Sequence, residues 1–257
     1  MSFLSVDNVH HSYFTPKSAT NALKDINFEI QEGEFISLLG PSGCGKTTML
    51  SILSGLIQPT EGSVLIDGAV PSSLTSSIGY MLQQDYLFPW KTIEENVLLG
   101  LKLNKQLTAK SRKTALNLLK EIGLAGVEKQ YPRQLSGGMR QRAALVRTLA
   151  INPKILFLDE PFSALDYQTK LKLEDLVFET LKSYKKTAVL VTHDIGEAIS
   201  MSDRILLFAA KPGRLYKTFL VPEELRAIRP FDVRSKEAYS VLFQEIWKEL
   251  ESLENHE

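Results

Sequence analysis

The chain has 257 residues, 44% of them hydrophobic and 23% charged, and its 30 basic and 30 acidic side chains cancel. At roughly 150 residues per domain this is one large domain or two small ones, and a composition near globular averages excludes wholesale disorder, a collagen-like repeat and a disulfide scaffold. The balance of charge offers no basic excess for nucleic acid or an anionic membrane surface, and the longest apolar run, Ile205 to Ala210, falls far short of the about 20 residues that span a bilayer.

Taken from the N-terminus, the opening MSFLSVDNVHHSYF lacks the charged flank and apolar stretch of a secretory signal, and the single cysteine, Cys44, can form no internal bridge. Both predict a cytosolic compartment. Short apolar runs at 3–9, 26–30 and 35–39, broken by turn material such as Gln31, Glu32 and Gly33, read as strands, and 62–67 and 78–82 add two more. From about 93 to 149 the strand pattern gives way to charged, helix-forming sequence, with Leu116, Leu119 and Ile122 on one face and Gly123 as a C-terminal stop. Strands return at 155–158, 188–192 and 205–208, the first two separated by a helix over 171–181. After Gly213 comes a basic, proline-punctuated stretch and then a last helix whose Tyr239, Leu242, Phe243, Ile246, Leu250 and Leu253 form an apolar stripe that packs on the core. The ordering predicts an α/β domain over residues 1–215 with a helical subdomain at about 90–150 inserted in its core, followed by a short helical extension over 216–257.

Gly40-Pro41-Ser42-Gly43-Cys44-Gly45-Lys46-Thr47-Thr48 stands directly between the strand at 35–39 and a helical run. This is the strand, G-x-x-x-x-G-K-[ST], helix pattern of a phosphate-binding loop. Its glycines let successive backbone N–H groups turn inward around a phosphate, and the helix start adds its positive dipole end. Lys46 supplies a point charge for the outer phosphates, and the Thr47 hydroxyl is a magnesium ligand. Cys44 lies inside the loop, where nearby cations and the helix start predict a lowered thiol pKa.

A second group completes the chemistry. The strand at 155–158 ends abruptly in Asp159 and Glu160, two carboxylates that a core strand avoids unless a cation awaits them. Asp159 suits the magnesium shell and Glu160 suits a general base acting on the attacking water. Ser136, Gly137 and Gly138 ahead of a helical run are another anion site, a hydroxyl plus N–H groups at a helix start. His193 ends the strand at 188–192, beside the Asp159 strand, and Gln83 is a magnesium or water contact. His10, His11 and His256 lack metal-ligand companions and read as surface residues.

The run Leu135-Ser136-Gly137-Gly138-Met139-Arg140-Gln141-Arg142 resembles the signature of ATP-binding cassette (ABC) proteins and precedes the Asp159-Glu160 pair as it does in that family. Gln83 matches the family's glutamine loop, Ser163-Ala164-Leu165-Asp166 the loop after the carboxylates, and His193 the switch histidine. Tyr13 occupies the place of the aromatic that stacks on adenine, with Phe14 beside it as the alternative. The resemblance covers about residues 3–215. It implies a P-loop NTPase fold of the ABC type, a RecA-like α/β core with an antiparallel β subdomain and an inserted α-helical subdomain. It also implies ATP and Mg2+ as ligands, and a head-to-tail pair of cassettes with ATP held between Lys46 of one subunit and Ser136 of the other.

A cassette without membrane spans works on an integral partner or serves a soluble process. Transport is favoured by three features: a single cassette, only 90 residues between Lys46 and Ser136, too few for the long coiled coil of chromosome or repair ATPases, and no nucleic-acid face. Asn104-Lys105-Gln106-Leu107 lacks the aspartate with which a guanine-specific switch reads its base. Gln83-Gln84-Asp85-Tyr86-Leu87-Phe88-Pro89-Trp90 resembles the loop of nitrate, sulfonate and taurine importers, and Lys211-Pro212-Gly213-Arg214 with the Trp247 helix resembles their C-terminal segment. Met81-Leu82 and Gln84 depart mildly from that pattern. The resemblance implies transmembrane permease subunits, a solute-binding protein and a place on the cytoplasmic face of the membrane. The alternative is a nucleotide-gated clamp in a soluble process.

Overall fold

The computed structural model describes residues 2–16, 18–73, 77–163 and 165–255. In chain order its elements are β1 (Leu4–Thr15), β2 (Ser18–Ile30), β3 (Phe35–Leu39), α1 (Lys46–Leu53), β4 (Glu61–Ile66), β5 (Ile78–Met81), α2 (Ile93–Val97), α3 (Leu99–Leu103), α4 (Ala109–Glu121) and α5 (Gly137–Ala150). They continue with β6 (Ile155–Asp159), α6 (Tyr167–Ser183), β7 (Thr187–Thr192), α7 (Ile195–Met201), β8 (Arg204–Ala209), β9 (Arg214–Leu220), α8 (Glu223–Arg226), α9 (Pro230–Val233) and α10 (Glu237–Asn255). Among the described residues no helix is long and apolar enough to cross a membrane.

Two sheets form. One is antiparallel, in the order β2-β1-β4; the other runs β5-β6-β7-β3-β8-β9 and is parallel up to β8, with β9 antiparallel at its edge. The central strands are buried on both faces, which is why they read as unbroken apolar runs rather than alternating ones. On β6, Ile155 and Phe157 face the layer shared with α1 and the antiparallel sheet, while Leu156 and Leu158 face α5 and α6. On β7, Val189 and Val191 take the first side, Ala188 and Leu190 the second. In-register pairing of Leu39 with Thr192, and of Asp159 with Val191, brings the ends of β3, β6 and β7 to one sheet edge.

The helices α2 to α5 share one apolar cluster with the α6 side of the sheet. The buried face of α4 is Ala115, Leu118 and Leu119, continued by Ile122. Leu116, read from the sequence as part of that face, is only half-buried, because the stripe is centred one position away. Gly123 does end this helix: at φ +74 it donates to the Lys120 carbonyl while the Leu124 N–H reaches Leu119, the paired bonds of a Schellman cap.

The tail differs from its sequence reading. The expected division at residue 215 lies inside β9, whose Phe219 is buried with α7, β8, α8 and α10 in a third apolar cluster. Within it Leu242 and Ile246 are buried, and Tyr239, Phe243, Leu250 and Leu253 pack against it, so the α10 stripe covers the core as expected. Two histidines are not surface groups. His11 is 9% exposed, and His10 lies half-buried 3.1 Å from Asp25; the β1–β2 hairpin extends past residue 9 and takes both into its sheet. His256 lies outside the described residues.

Candidate active site

The glycine-rich loop leaves the C-terminal edge of β3. A Cβ on Gly40 would lie 2.5 Å from the Phe208 carbonyl oxygen, so only glycine lets the loop pass β8 this closely. Gly45 turns the chain into α1 at φ +91, again with no room for a side chain beside Leu23. Lys46 is 6% exposed, and its Nζ donates to the carbonyl oxygens of Gly40 at 2.7 Å and Pro41 at 2.9 Å. The ammonium is thereby held inside the curl of the loop.

Cys44 corrects one expectation. It is fully buried beneath the loop, and burial pushes its thiol above the ordinary range against the opposing pull of Lys46, whose Nζ lies 3.6 Å from Sγ. Desolvation outweighs the nearby cation. Sequence reading also missed what braces the loop from behind. The Gly213 N–H donates to Ala22 O, Lys24 N–H donates to Gly213 O, and a Cβ on Gly213 would stand 2.3 Å from the Cys44 carbonyl oxygen. The turn between β8 and β9 is therefore wedged against the glycine-rich loop, and a glycine following Lys-Pro was its only signal.

Asp159 is the last residue of β6 and is 8% exposed. Its Oδ1 accepts from the Thr47 hydroxyl at 3.4 Å, which sets two hard oxygen donors of the kind Mg2+ takes side by side. Burial pushes its carboxyl upward, opposed by the Thr47 bond and reinforced by neighbouring Glu160. Tyr80, which sequence reading did not single out, faces it from β5, and burial with the Asp159 charge pushes the phenol up to about 12. Glu160 adopts φ +44, the left-handed region that costs a non-glycine residue of order 1 kcal/mol. Bonds from its N–H to Val191 O and from Ser163 N–H to its own carbonyl fix that turn. The turn lets adjacent carboxylates work at one place, which a continuing strand would forbid.

Glu160 collects the remaining polar groups. His193 Nδ1 lies 3.3 Å from Oε1, and Gln83 Nε2 lies 3.5 Å from Oε2 and donates to Ser163 Oγ at 3.1 Å. Gln83 thus bonds to Glu160 and Ser163 rather than to Thr47 or Asp159. An open cavity of about 540 Å³ over the loop is lined by Tyr13, Asn21, Gly43, Lys46, Thr48 and Glu160 among others. Tyr13 is held edge-on against His11, with ring centroids 4.7 Å apart, and its hydroxyl meets Thr48 Oγ1 at 3.3 Å. Phe14 is 73% exposed and is not part of this lining. A second cavity of about 710 Å³ on the other side of Ser42 is lined by Gly40, His193, Tyr239 and Trp247 among others.

Ser136 caps α5, its Oγ accepting from Met139 N–H at 3.4 Å, with Gly137 and Gly138 in the first turn. None of the three lines either cavity beside Lys46. The same helix grips the 83–90 loop. Gln141 Nε2 donates to Gln83 O, Arg140 Nε meets Asp85 Oδ2 at 2.9 Å, and Arg147 donates to the carbonyls of Asp85 and Tyr86, both at 2.8 Å. Fully buried Asn96 closes the far end by bonding both backbone groups of Phe88. The loop leaves Tyr86 and Trp90 exposed at 57% and 70%, with Trp90 against the Phe88 ring.

The chain is similar to known proteins in sequence and in fold. The family model described as ABC transporter matches residues 23–163. The chain is 64% identical over its whole length to the uncharacterized ABC transporter ATP-binding protein YtlC of Bacillus subtilis, covering 99% of that protein. It is 40% identical over 91% of its length to the aliphatic sulfonates import ATP-binding protein SsuB of Bacillus licheniformis, covering 89% of it. A solved dimeric structure of the ATP-binding cassette MJ0796 in a post-hydrolysis state, bound to ADP and Pi, superposes with a TM-score of 0.76 at 36% identity, over 85% of this chain and 99% of that one. By its family match, its relatives and its cassette fold, the chain belongs to the ABC transporter family as one of that family's ATPases.

Proposed function

We propose that this chain powers the import of a small solute of the sulfonate, taurine or nitrate type through separate transmembrane subunits at the cytoplasmic face of the membrane, with a solute-binding protein delivering the cargo. One observation carries the reading. Lys46, Thr47, Asp159, Glu160 and His193 meet at one sheet edge, and Gln83, bonded to Glu160, opens a loop that ends in the exposed Phe88 and Trp90. The sulfonate import in which SsuB takes part supports the solute class.

The phosphates of ATP lie in the loop of Gly40, Pro41, Ser42, Gly43, Cys44 and Gly45, with Lys46 turned to the outer ones and Thr48 at the helix start. Tyr13, which lines the cavity, takes the adenine ring in preference to Phe14. Thr47, Asp159 and, turned from Ser163, Gln83 would hold Mg2+, which would neutralise phosphate charge. Glu160 accepts the proton of the attacking water. His193, held against Glu160, contacts the γ-phosphate. Since Ser136, Gly137 and Gly138 lie away from their own Lys46 loop, they serve the nucleotide of a second cassette, presenting a hydroxyl and helix-start N–H groups to its γ-phosphate. The dimeric state of MJ0796 supports this pairing.

Glu160→Gln is the test. ATP binding should persist, hydrolysis should fall by roughly 10² to 10⁴, and Mg-ATP should trap a dimer visible by analytical ultracentrifugation. An unchanged steady-state rate removes Glu160 as the base. Reconstitution with the transmembrane subunits then separates the readings: uptake coupled to ATP turnover supports import, and turnover indifferent to any permease supports a soluble clamp.

A further inference from the structure

We infer that Arg234, in the C-terminal segment, is a positioning residue for the His193 loop during ATP hydrolysis, acting through Glu174, Lys170 and Asp194. The inference rests on the reading that His193 contacts the γ-phosphate.

Three parts of the chain meet in one ion cluster beside His193. Arg234 closes α9, and its Nη2 donates to Glu174 Oε2 at 2.6 Å. Glu174 is fully buried on α6; its other oxygen has no hydrogen-bond partner and faces Lys170 Nζ at 4.0 Å. Lys170 in turn ion-pairs with Asp194 at 2.7 Å and Glu197 at 2.5 Å. These two carboxylates hold the loop on both sides of His193. Asp194 caps α7 by accepting from Glu197 N–H, and its own N–H donates to Thr192 Oγ1, whose hydroxyl bonds Glu197. His193 itself is 60% exposed, so its place is set by these neighbours and by Glu160 rather than by its own packing. Lys170, Arg234 and His193 line the same cavity as Gly40 and Ser42, which puts the cluster in the wall beside the phosphate loop.

The cluster contains two cations and three carboxylates. Among the described residues, Arg234 is the only group hydrogen-bonded to the Glu174 carboxyl. Remove it at alkaline pH, where Glu174 is ionised, and a buried carboxylate is left whose nearest cation is Lys170, already 4.0 Å from the free oxygen. Lys170 is then drawn from Asp194 toward Glu174, because an unpaired buried charge costs more than a loosened pair at the cavity wall. Asp194 is released and His193 loses its fixed place. Neutralising Glu174 in the same molecule removes that pull.

This predicts a pattern that packing alone does not give. Assayed at alkaline pH, where Glu174 is ionised, Arg234→Ala should lower kcat about tenfold or more while the ATP affinity, read by nucleotide titration, and the KM stay near wild type; at a pH where Glu174 holds its proton the loss in kcat should shrink. Arg234→Ala with Glu174→Gln should recover kcat. If the double variant is no faster than Arg234→Ala, or if Arg234→Ala raises KM and leaves kcat alone, the inference is wrong. Should Arg234→Ala fail to fold, Arg234→Gln alone and with Glu174→Gln carries the same comparison. His193→Ala, measured in parallel, separates the two claims: a wild-type rate there overturns the γ-phosphate reading, whereas an inactive His193→Ala beside a fully active Arg234→Ala overturns only the positioning role.

Discussion

Glu174→Gln should change how stability depends on pH, and the structure gives both sign and size. Glu174 has no exposed surface, and the ionisable groups around it are Lys170 on α6, Glu197 on α7, Arg234 after α9 and Tyr239 on α10. Burial is the dominant effect and pushes its carboxyl from 4.5 up to about 7, against the pull of Arg234. A folded-state pKa above the unfolded one means that the folded chain holds this proton more tightly. The resulting stability is fully present below about pH 4.5 and is lost as pH rises through about 7. A displacement of that size corresponds to about 3 kcal/mol. Urea unfolding of wild type and Glu174→Gln across this range isolates the contribution, because Asp194 and Glu197 titrate in both proteins. The stability of wild type relative to the variant should fall by about that amount with rising pH. A difference that stays flat, or that grows with pH, refutes the assignment of burial as the stronger influence.

Gly213→Ala, a change outside the glycine-rich loop, should weaken ATP binding by an order of magnitude or more, since its Cβ would meet the Cys44 carbonyl at 2.3 Å and push the loop from behind; nucleotide titration checks this. Cys44 should react with a thiol reagent much more slowly in the folded protein than in urea at the same pH, because it is fully buried and its thiol pKa is raised. Rapid stoichiometric alkylation of the native chain would count against the loop geometry.

What could be read from the sequence was local. The phosphate loop announces itself because glycines, Lys46 and Thr47 are contiguous and sit between a strand and a helix. Asp159 and Glu160 stand out because carboxylates ending an apolar strand demand a reason. The groups that escaped notice depend on distant chain. Glu174 and Arg234 are 60 residues apart, and each alone resembles an ordinary helical charge. Gly213 matters only through the backbone of Cys44 and Ala22. Strand β9 was lost for a different reason: its alternating Leu215, Lys217 and Phe219 follow a Lys-Pro-Gly turn, and as an antiparallel edge strand it lacks the unbroken apolar run of its neighbours. His11 was misjudged because its burial comes from pairing with β2 and from the Tyr13 ring.

The 83–90 loop joins the carboxylate edge to an exposed aromatic pair, and a soft loop would dissipate any displacement of Phe88 or Trp90 before it reached Gln83. This loop is not soft. Arg147 holds the carbonyls of Asp85 and Tyr86, Arg140 holds the Asp85 carboxylate, Gln141 holds the carbonyl of Gln83, and Asn96 holds Phe88. Three of those four side chains belong to α5, the helix whose first turn carries Ser136. The amides of Asn96 and Gln141 are buried and the two arginines half-buried, and breaking a bond to either amide leaves an unsatisfied group worth about 1 to 3 kcal/mol. A pull on the aromatic pair therefore moves the loop and α5 together. Gln83 shifts relative to Glu160 and Ser163, and Ser136 shifts with it. On the proposed reading these are the contacts to a cassette's own nucleotide and to its partner's, so a single rigid connection links the membrane-facing surface to both sites.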